Sequence, residues 1–334
     1  MKRRLCATGR GGSTLVWRES FRVSLLLGAA HMSNRRNGVV SSLVASLGLV
    51  WFTGKVEAQQ RRPQPNGIRI QKVDAADDGS WLTVPDHHYL GSPTFSRDGE
   101  WIAFDAYRSD TEQVTCEVWI ARRNGTEAKR LAVGATPRWH PDGRRLIFMR
   151  EQRNDVENVP LGIFTIDRDG GNETFICPGR WPDWSPDGTQ IAFSLGADDT
   201  RRGGSAELSR VYVAQADGTL PKPIAYGDCP SWSPDGSKLA CCYTDAAMPA
   251  PLIRIVDLVN KNQRFAGYGW YRANWDKPGR AIVFNGVTDD REQGMVSVTL
   301  GAALHPVALE TGVENASSPS YSADGKYIAF TAPH

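Results

Sequence analysis

Trp184-Ser-Pro-Asp187-Gly188-Thr-Gln-Ile191-Ala-Phe193 carries three instructions in one short run. An aromatic residue closes a strand, Ser-Pro-Asp-Gly turns the chain, and Ile-Ala-Phe opens a buried strand. Proline presets φ at the second turn position, the aspartate bonds back to the backbone, and glycine takes the φ > 0 conformation.

The same order recurs at Phe95-Ser-Arg-Asp98-Gly99, Trp139-His-Pro-Asp142-Gly143, Trp232-Ser-Pro-Asp235-Gly236 and Tyr321-Ser-Ala-Asp324-Gly325. Trp275-Asp-Lys-Pro278-Gly279 falls where the rhythm requires another copy, with the Pro-Asp order lost. Successive aromatics are 44, 45, 48, 43 and 46 residues apart. This recurrence makes Asp98, Asp142, Asp187, Asp235 and Asp324 turn residues rather than paired catalytic carboxylates.

Each copy continues with a second apolar strand, such as Leu146-Ile-Phe148 or Ile328-Ala-Phe330, then a third ending in a turn such as Asp169-Gly170 or Asp217-Gly218. A short fourth strand completes it. Four strands in about 45 residues make a propeller blade, and a lone blade cannot cover its apolar faces. The last copy stops at His334 after two strands. Ile68–Val73, a turn at Asp77-Asp78-Gly79, and Trp81–Val84 supply the missing two. The expected fold is all-β: a six-bladed β-propeller of four-stranded antiparallel blades over 68–334, its last blade closed by strands from both termini.

The Trp-Ser-Pro-Asp-Gly-x-x-Ile-Ala-Phe signature resembles the TolB-type propeller repeat, a WD40-like unit, throughout 68–334. The resemblance implies an exported, non-catalytic scaffold that binds protein or cell-envelope partners. TolB docks peptidoglycan-associated lipoprotein and carries an α/β domain before its propeller, where this chain has only 59–67, so the role implied is TolB-like without that domain. The rival is a propeller enzyme, a metal- or carboxylate-dependent lyase or hydrolase acting on carbohydrate or peptide in the central funnel. Some propeller lyases acting on acidic sugars use histidine-bound metal. Prolyl-oligopeptidase-like hydrolases carry similar propellers, but no Gly-x-Ser-x-Gly elbow is present here. A binding role is preferred to an enzymatic one, with no cofactor.

The front of the chain reads as an address. After Met32, Arg35-Arg36 precede an apolar run of 14 residues from Val39 to Phe52 and then Val56-Glu57-Ala58. That pattern describes a signal peptide over 32–58, too short in its apolar part to remain as a span. Residues 1–31 have no assigned role and are read as a start-site artefact, and 59–67 as a linker. Localisation is expected to be periplasmic or secreted, as a monomer with no integral span after cleavage. Nine Lys/Arg and two Asp/Glu lie in 1–58, so the formal charge of +2 conceals a body with 30 basic and 35 acidic residues. A mildly acidic body does not suit nucleic acid. Cys116, Cys177, Cys229, Cys241 and Cys242 remain after cleavage, an odd number that leaves at least one thiol free or paired between chains. Cys229 could pair with Cys241 or Cys242, but small buried thiols are the preferred reading.

Strand counting puts the motif turns and the third-to-fourth-strand turns on one face. The longer connections Tyr107–Cys116, Arg150–Leu161, Leu195–Leu208 and Asn285–Gly294 share the other, where function is expected. There the first-strand starts bring Arg138, Arg180, Trp181, Asp183, Asp228, Trp270, Tyr271, Arg272 and Asn274 toward a common mouth, and the loop before the first copy adds His87, His88 and Tyr89. Such a funnel suits a peptide carboxylate, a sugar or a partner's tail. His87-His88 is not expected to hold a metal, because adjacent strand residues point to opposite sides. His140 lies on the far face, and His305 in an outer-strand segment.

Overall fold

The computed structural model describes residues 65–73, 75–107, 116–150, 162–196, 209–244, 250–301 and 303–334. The expectations for 1–31, for the signal peptide 32–58, for most of the linker, and for the loops across 108–115, 151–161 and 197–208 lie outside these residues.

In four motif turns one serine works twice. Ser96, Ser185, Ser233 and Ser322 each donate their hydroxyl to the aspartate two residues on, at 2.5–2.6 Å. Each also accepts the backbone N–H five residues on, at 2.9–3.0 Å. The aspartate then takes the N–H two residues beyond itself, at 3.0 Å, and the glycine adopts φ near 70°. The divergent copy reaches the same end with one side chain. Asp276 stands at the serine position, and its Oδ1 accepts both the Arg280 N–H (2.7 Å) and the Ala281 N–H (2.8 Å). These contacts hold the turn carboxylates in their charged form. The Ser233 hydroxyl, then the Ser237 N–H, lower Asp235 to about 2, and equivalent bonds lower Asp187 and Asp324.

The strands that follow each turn pair in sequence order. Sheet B holds β3 (Tyr89–Phe95), β4 (Trp101–Tyr107), β5 (Cys116–Arg122) and β6 (Lys129–Val133). Sheet C holds β7 (Ala135–Trp139), β8 (Arg145–Arg150), β9 (Gly162–Asp167) and β10 (Thr174–Cys177), and sheet D holds β11 (Arg180–Trp184), β12 (Gln190–Leu195), β13 (Arg210–Gln215) and β14 (Lys222–Tyr226). Sheet E begins with β15 (Asp228–Trp232), β16 (Lys238–Tyr243) and β17 (Leu252–Asp257). The long β18 (Gln263–Trp275) closes sheet E with its first half and opens sheet F with its second, before β19 (Ala281–Val287), β20 (Gln293–Thr299) and β21 (Pro306–Ala308). All pairings are antiparallel.

Sheet A joins the two ends of the described chain. Its order is β2 (Ala75–Leu82), β1 (Asn66–Lys72), β23 (Tyr327–Pro333), β22 (Ser317–Tyr321). β1 and β23 pair without a slip from Asn66↔Pro333 to Lys72↔Tyr327, and the His334 N–H reaches the Pro65 carbonyl at 3.1 Å. The turn expected at Asp77–Gly79 lies inside β2 instead. The chain already reverses just after Lys72, which pairs with Ala75, and a register shift between Ile70 and Lys72 absorbs the extra residues of β2.

The first strand of every sheet touches the first strand of its neighbours, in the closed order β3, β7, β11, β15, β18, β22 and back to β3. This is a β-propeller ring, sealed by both ends of the described chain. Between sheets lie Phe104, Phe148, Phe193, Phe284 and Phe330, one from each second strand and all but fully buried, with Cys241 at the equivalent place in sheet E. Junction glycines make room for them: a Cβ on Gly134 would lie 2.4 Å from Phe148, and one on Gly179 2.7 Å from Phe193, both at φ values that suit glycine. Indole N–H groups add bonds from sheet to sheet, Trp139 to the Thr94 carbonyl (3.2 Å) and Trp275 to the Ser231 carbonyl (3.1 Å). Arg123 of sheet B stacks over Tyr327 of sheet A, and Arg168 of sheet C over Trp101 of sheet B. Cys229 and Cys241 are buried free thiols, and Cys116, Cys177 and Cys242 are partly buried. No helix among the described residues is long and apolar enough to cross a membrane.

This packing predicts two outcomes. Ile68 is fully buried in the closing sheet while Val259 is 81% exposed, so Ile68→Ala should cost roughly 2–5 kcal/mol in urea unfolding and Val259→Ala under about 0.5 kcal/mol. A closing sheet that contributes nothing would give equal midpoints. The lowered Asp235 carboxyl stabilises the fold fully above the ordinary value of 3.8, and that contribution is lost as pH falls through about 2. Asp235→Asn should therefore be less stable than wild type at pH 5–7, by roughly 0.5–1.5 kcal/mol, with the gap closing toward pH 2. A gap independent of pH would contradict the assignment.

Candidate functional site

Every first strand opens with a bulge. Register slips between Gly91 and Thr94, Ala135 and Arg138, Arg180 and Asp183, Asp228 and Ser231, Trp270 and Asn274, and Ser317 and Ser320. Each bulge holds one non-glycine residue in the left-handed region: Ser92, Thr136, Trp181, Cys229, Tyr271 and Ser318, at φ 48–66°. That conformation costs roughly 1–2 kcal/mol per residue, so something must hold it.

In four of the six, a side chain of the preceding sheet holds it. The Thr136 N–H donates to Asp105 Oδ2 (2.8 Å), the Ser318 N–H to Asn285 Oδ1 (2.9 Å), the Trp181 N–H to Met149 Sδ (3.4 Å), and the Tyr271 N–H to the Cys242 thiol. All four acceptors occupy the same place, one residue past the buried centre of the second strand. In the fifth case Asp228 caps its neighbour Cys229 through Oδ1 at 3.0 Å.

The bulges re-aim the residues after them into the ring. Arg138 of sheet C donates through Nη2 to Asn274 Oδ1 of sheet F, three sheets away and so directly opposite, at 2.8 Å. Asn274 Nδ2 donates to the Pro319 carbonyl of sheet A (2.7 Å), and Arg272 Nη1 to the Pro182 carbonyl of sheet D (2.9 Å). Asp183 sits between the two arginines, its Oδ1 3.8 Å from Arg138 Nε and 3.8 Å from Arg272 Nη1, while its Oδ2 accepts the Trp232 N–H at 2.8 Å. These side chains are 7–16% exposed. Two guanidiniums thus share one carboxylate in a buried setting. Burial first, and the Arg272 charge second, pull Arg138 down to about 9.

The residues expected at one mouth therefore separate into layers. Arg138, Asp183, Arg272 and Asn274 lace the interior. Arg180 and Asp228 form a rim pair at 3.1 Å, about 30% exposed, with Arg180 also on Ser209 Oγ at 3.3 Å. Trp181, Trp270 and Tyr271 are half-buried, and burial raises the Tyr271 hydroxyl to about 12. The histidine loop does not join them. His87 turns across its own sheet, with Nε2 3.0 Å from Glu117 Oε2, Nδ1 2.8 Å from the Pro85 carbonyl, and its ring edge-on to Trp119. His88 is exposed and Tyr89 buried beside it. His305 pairs with Asp289 at 3.1 Å. Among the described residues no group of three or more His, Cys, Asp or Glu side chains is arranged to hold a metal ion.

Sequence reasoning does not find Asp105, Met149, Cys242 and Asn285. Their signal is positional: each comes just after the buried strand centre, and each precedes the left-handed residue of the next first strand by about 30 residues. Nor does it find Glu117, which gathers Arg130, Trp119 and His87.

A ring of antiparallel sheets closed by both ends of the described chain, with polar side chains meeting on its axis, defines a β-propeller. Its likeness to solved structures is to TolB propellers. A protein assigned as TolB from Agrobacterium tumefaciens superposes with a TM-score of 0.59 at 16% identity, over 81% of this chain and 99% of that one. TolB from Acinetobacter baumannii gives 0.53 at 13% identity, over 80% of this chain and 63% of that one, so the present chain spans under two thirds of that protein. An oligogalacturonate lyase in complex with manganese matches at 0.49 and 14% identity, over 68% of this chain and 69% of that one. No family model and no curated protein matches the sequence. The fold is that of a TolB-like β-propeller.

Removing the shared carboxylate leaves two buried guanidiniums facing each other. Asp183→Asn should destabilise the protein by roughly 3–5 kcal/mol, while Arg138→Met, which removes one of two like charges, should cost clearly less. Calorimetric unfolding of both variants checks the order. Equal losses would show that the charges do not interact.

Proposed function

We propose that this protein is an exported, non-catalytic docking module that binds a protein or cell-wall component of the cell envelope through its loop-rich face. The observation that carries this reading is the lacing of the axis. Arg138 bonds Asn274 across the axis, Asn274 and Arg272 bond the Pro319 and Pro182 carbonyls, and Asp183 accepts the Trp232 N–H, cross-links that favour a rigid ring over a reaction chamber. Outside that layer, Arg180 and Asp228 with the half-buried Trp181, Trp270 and Tyr271 offer charge beside aromatic surface. Anchors of that kind dominate protein interfaces. The likeness to TolB propellers supports the same reading by fold. The segment 32–58, read as a signal peptide, supports an envelope location, and the folded ring acts as a monomer.

The test is capture. Wild-type protein and an Arg180→Ala/Trp270→Ala variant of matched thermal stability are incubated with solubilised envelope proteins and with purified peptidoglycan. The expected result is at least one partner held by wild type and weakened about tenfold or more in the variant, the order of loss for an interface anchor. Binding of every captured species unchanged by the double substitution would refute the rim as the docking surface.

A further inference from the structure

The axis carries a charge that its own residues do not balance. Two guanidiniums, Arg138 and Arg272, face a single carboxylate, Asp183, and the contact to each is 3.8 Å, longer than a hydrogen bond. The other Asp183 oxygen is taken by the Trp232 N–H. Arg272 is 7% exposed at its side chain and bonds through Nη1 to the Pro182 carbonyl, but Nη2 is buried with no hydrogen-bond partner among the described residues. A buried donor left unsatisfied on a charged group costs more than one left on a neutral group. Arg138 cannot relieve it, since a guanidinium carries only donors. The Asn274 Oδ1 already accepts from Arg138 Nη2, and its Nδ2 donates to the Pro319 carbonyl. The neighbouring ionisable groups do not supply the missing charge: Asp228 is paired with Arg180 on the rim, and the nearby Cys229 thiol is held protonated by burial.

We infer that the axial arginine pair is a binding site for one small monovalent anion, of halide or carboxylate size, seated against Arg272 Nη2. One such ion balances the two-to-one charge and supplies the acceptor that the orphaned donor requires. A guanidinium presents parallel N–H groups that match a carboxylate, and it binds a halide through the same donors. A dianion would overshoot the charge, and a cation would meet two arginines. The site is independent of partner docking: it lies inside the ring, and its occupant locks sheets C, D and F together whether or not the rim is engaged.

Bromide is the probe. At fixed ionic strength and pH 7, exchanging sodium gluconate for sodium bromide, and separately for sodium formate, should raise the unfolding temperature saturably by about 2–3 °C when the ion is at tenfold its dissociation constant. Bromide is otherwise neutral to destabilising, so a saturable rise reports a site. Arg272→Met and Arg138→Met should each abolish the rise, and Arg180→Ala on the rim should leave it intact. A crystal of the full chain in bromide should show anomalous density within hydrogen-bond reach of Arg272 Nη2. Three results would overturn the inference: no saturable rise with either ion, a rise that survives both methionine substitutions, or a carboxylate of the chain itself seated on Arg272 Nη2 with no bromide there. Loss of partner capture with an intact bromide response would instead strike the docking proposal alone.

Discussion

A ring of sheets must satisfy the one pair of edges that sequence order leaves open. Here that duty falls on seven residue pairs between β1 and β23, from Asn66↔Pro333 to Lys72↔Tyr327. Unpaired, each edge would present a row of free N–H and C=O groups to solvent or to another chain. Paired, they convert a line of sheets into a circle in which every first strand has two neighbours. The buried side chains of the closing sheet depend on it, and so does the axis, because β22 and the Pro319 carbonyl that receives Asn274 are placed by that pairing.

The interior is built by a repeated local compromise. Each first strand accepts one residue in an unfavourable backbone conformation, and in most copies a side chain from the preceding sheet captures the N–H that this conformation turns outward. The gain is directional. A bulge re-aims the next side chains along its strand, and in this ring those are Arg138, Asp183, Arg272 and Asn274. The acceptor's chemistry varies from carboxylate to amide, thioether and thiol while its location does not, so the geometry of the ring fixes the site and the residue type only tunes the bond.

Much of this is legible in the sequence because turns and strand cores are written locally. Pro-Asp-Gly names its own conformation, and Ile-Ala-Phe names its burial, so spacing alone implies the sheets and the strand exchange between the ends. The divergent turn is legible as a position but not as a mechanism, since nothing in Trp-Asp-Lys-Pro-Gly announces that Asp276 accepts both N–H groups. Asp77-Asp78-Gly79 misleads for the opposite reason: its composition is that of a turn, but strand pairing places it inside β2. The site is legible only as a set of residues. Which members meet depends on the diameter of the ring and on a bulge that shifts residues by one position, and these are long-range quantities. Proximity in sequence points His87 toward the mouth, yet Glu117 and Trp119 on the third strand of its own sheet draw it outward.

The joints between sheets are unequal. One glycine, Gly134, separates β6 from β7, and Gly227 alone separates β14 from β15, while sheets E and F share a continuous strand. Only sheet A is tied on both sides by longer links, 83–88 and 309–316. Its central pair also joins residues from opposite ends of the described chain, whereas the other sheets are assembled from neighbours. The entropy of bringing distant segments together must be met before their contacts return anything. Sheets B through F can therefore form from neighbouring segments, whereas the seam at sheet A needs both ends of the described chain and carries the largest loop-closure cost in the ring.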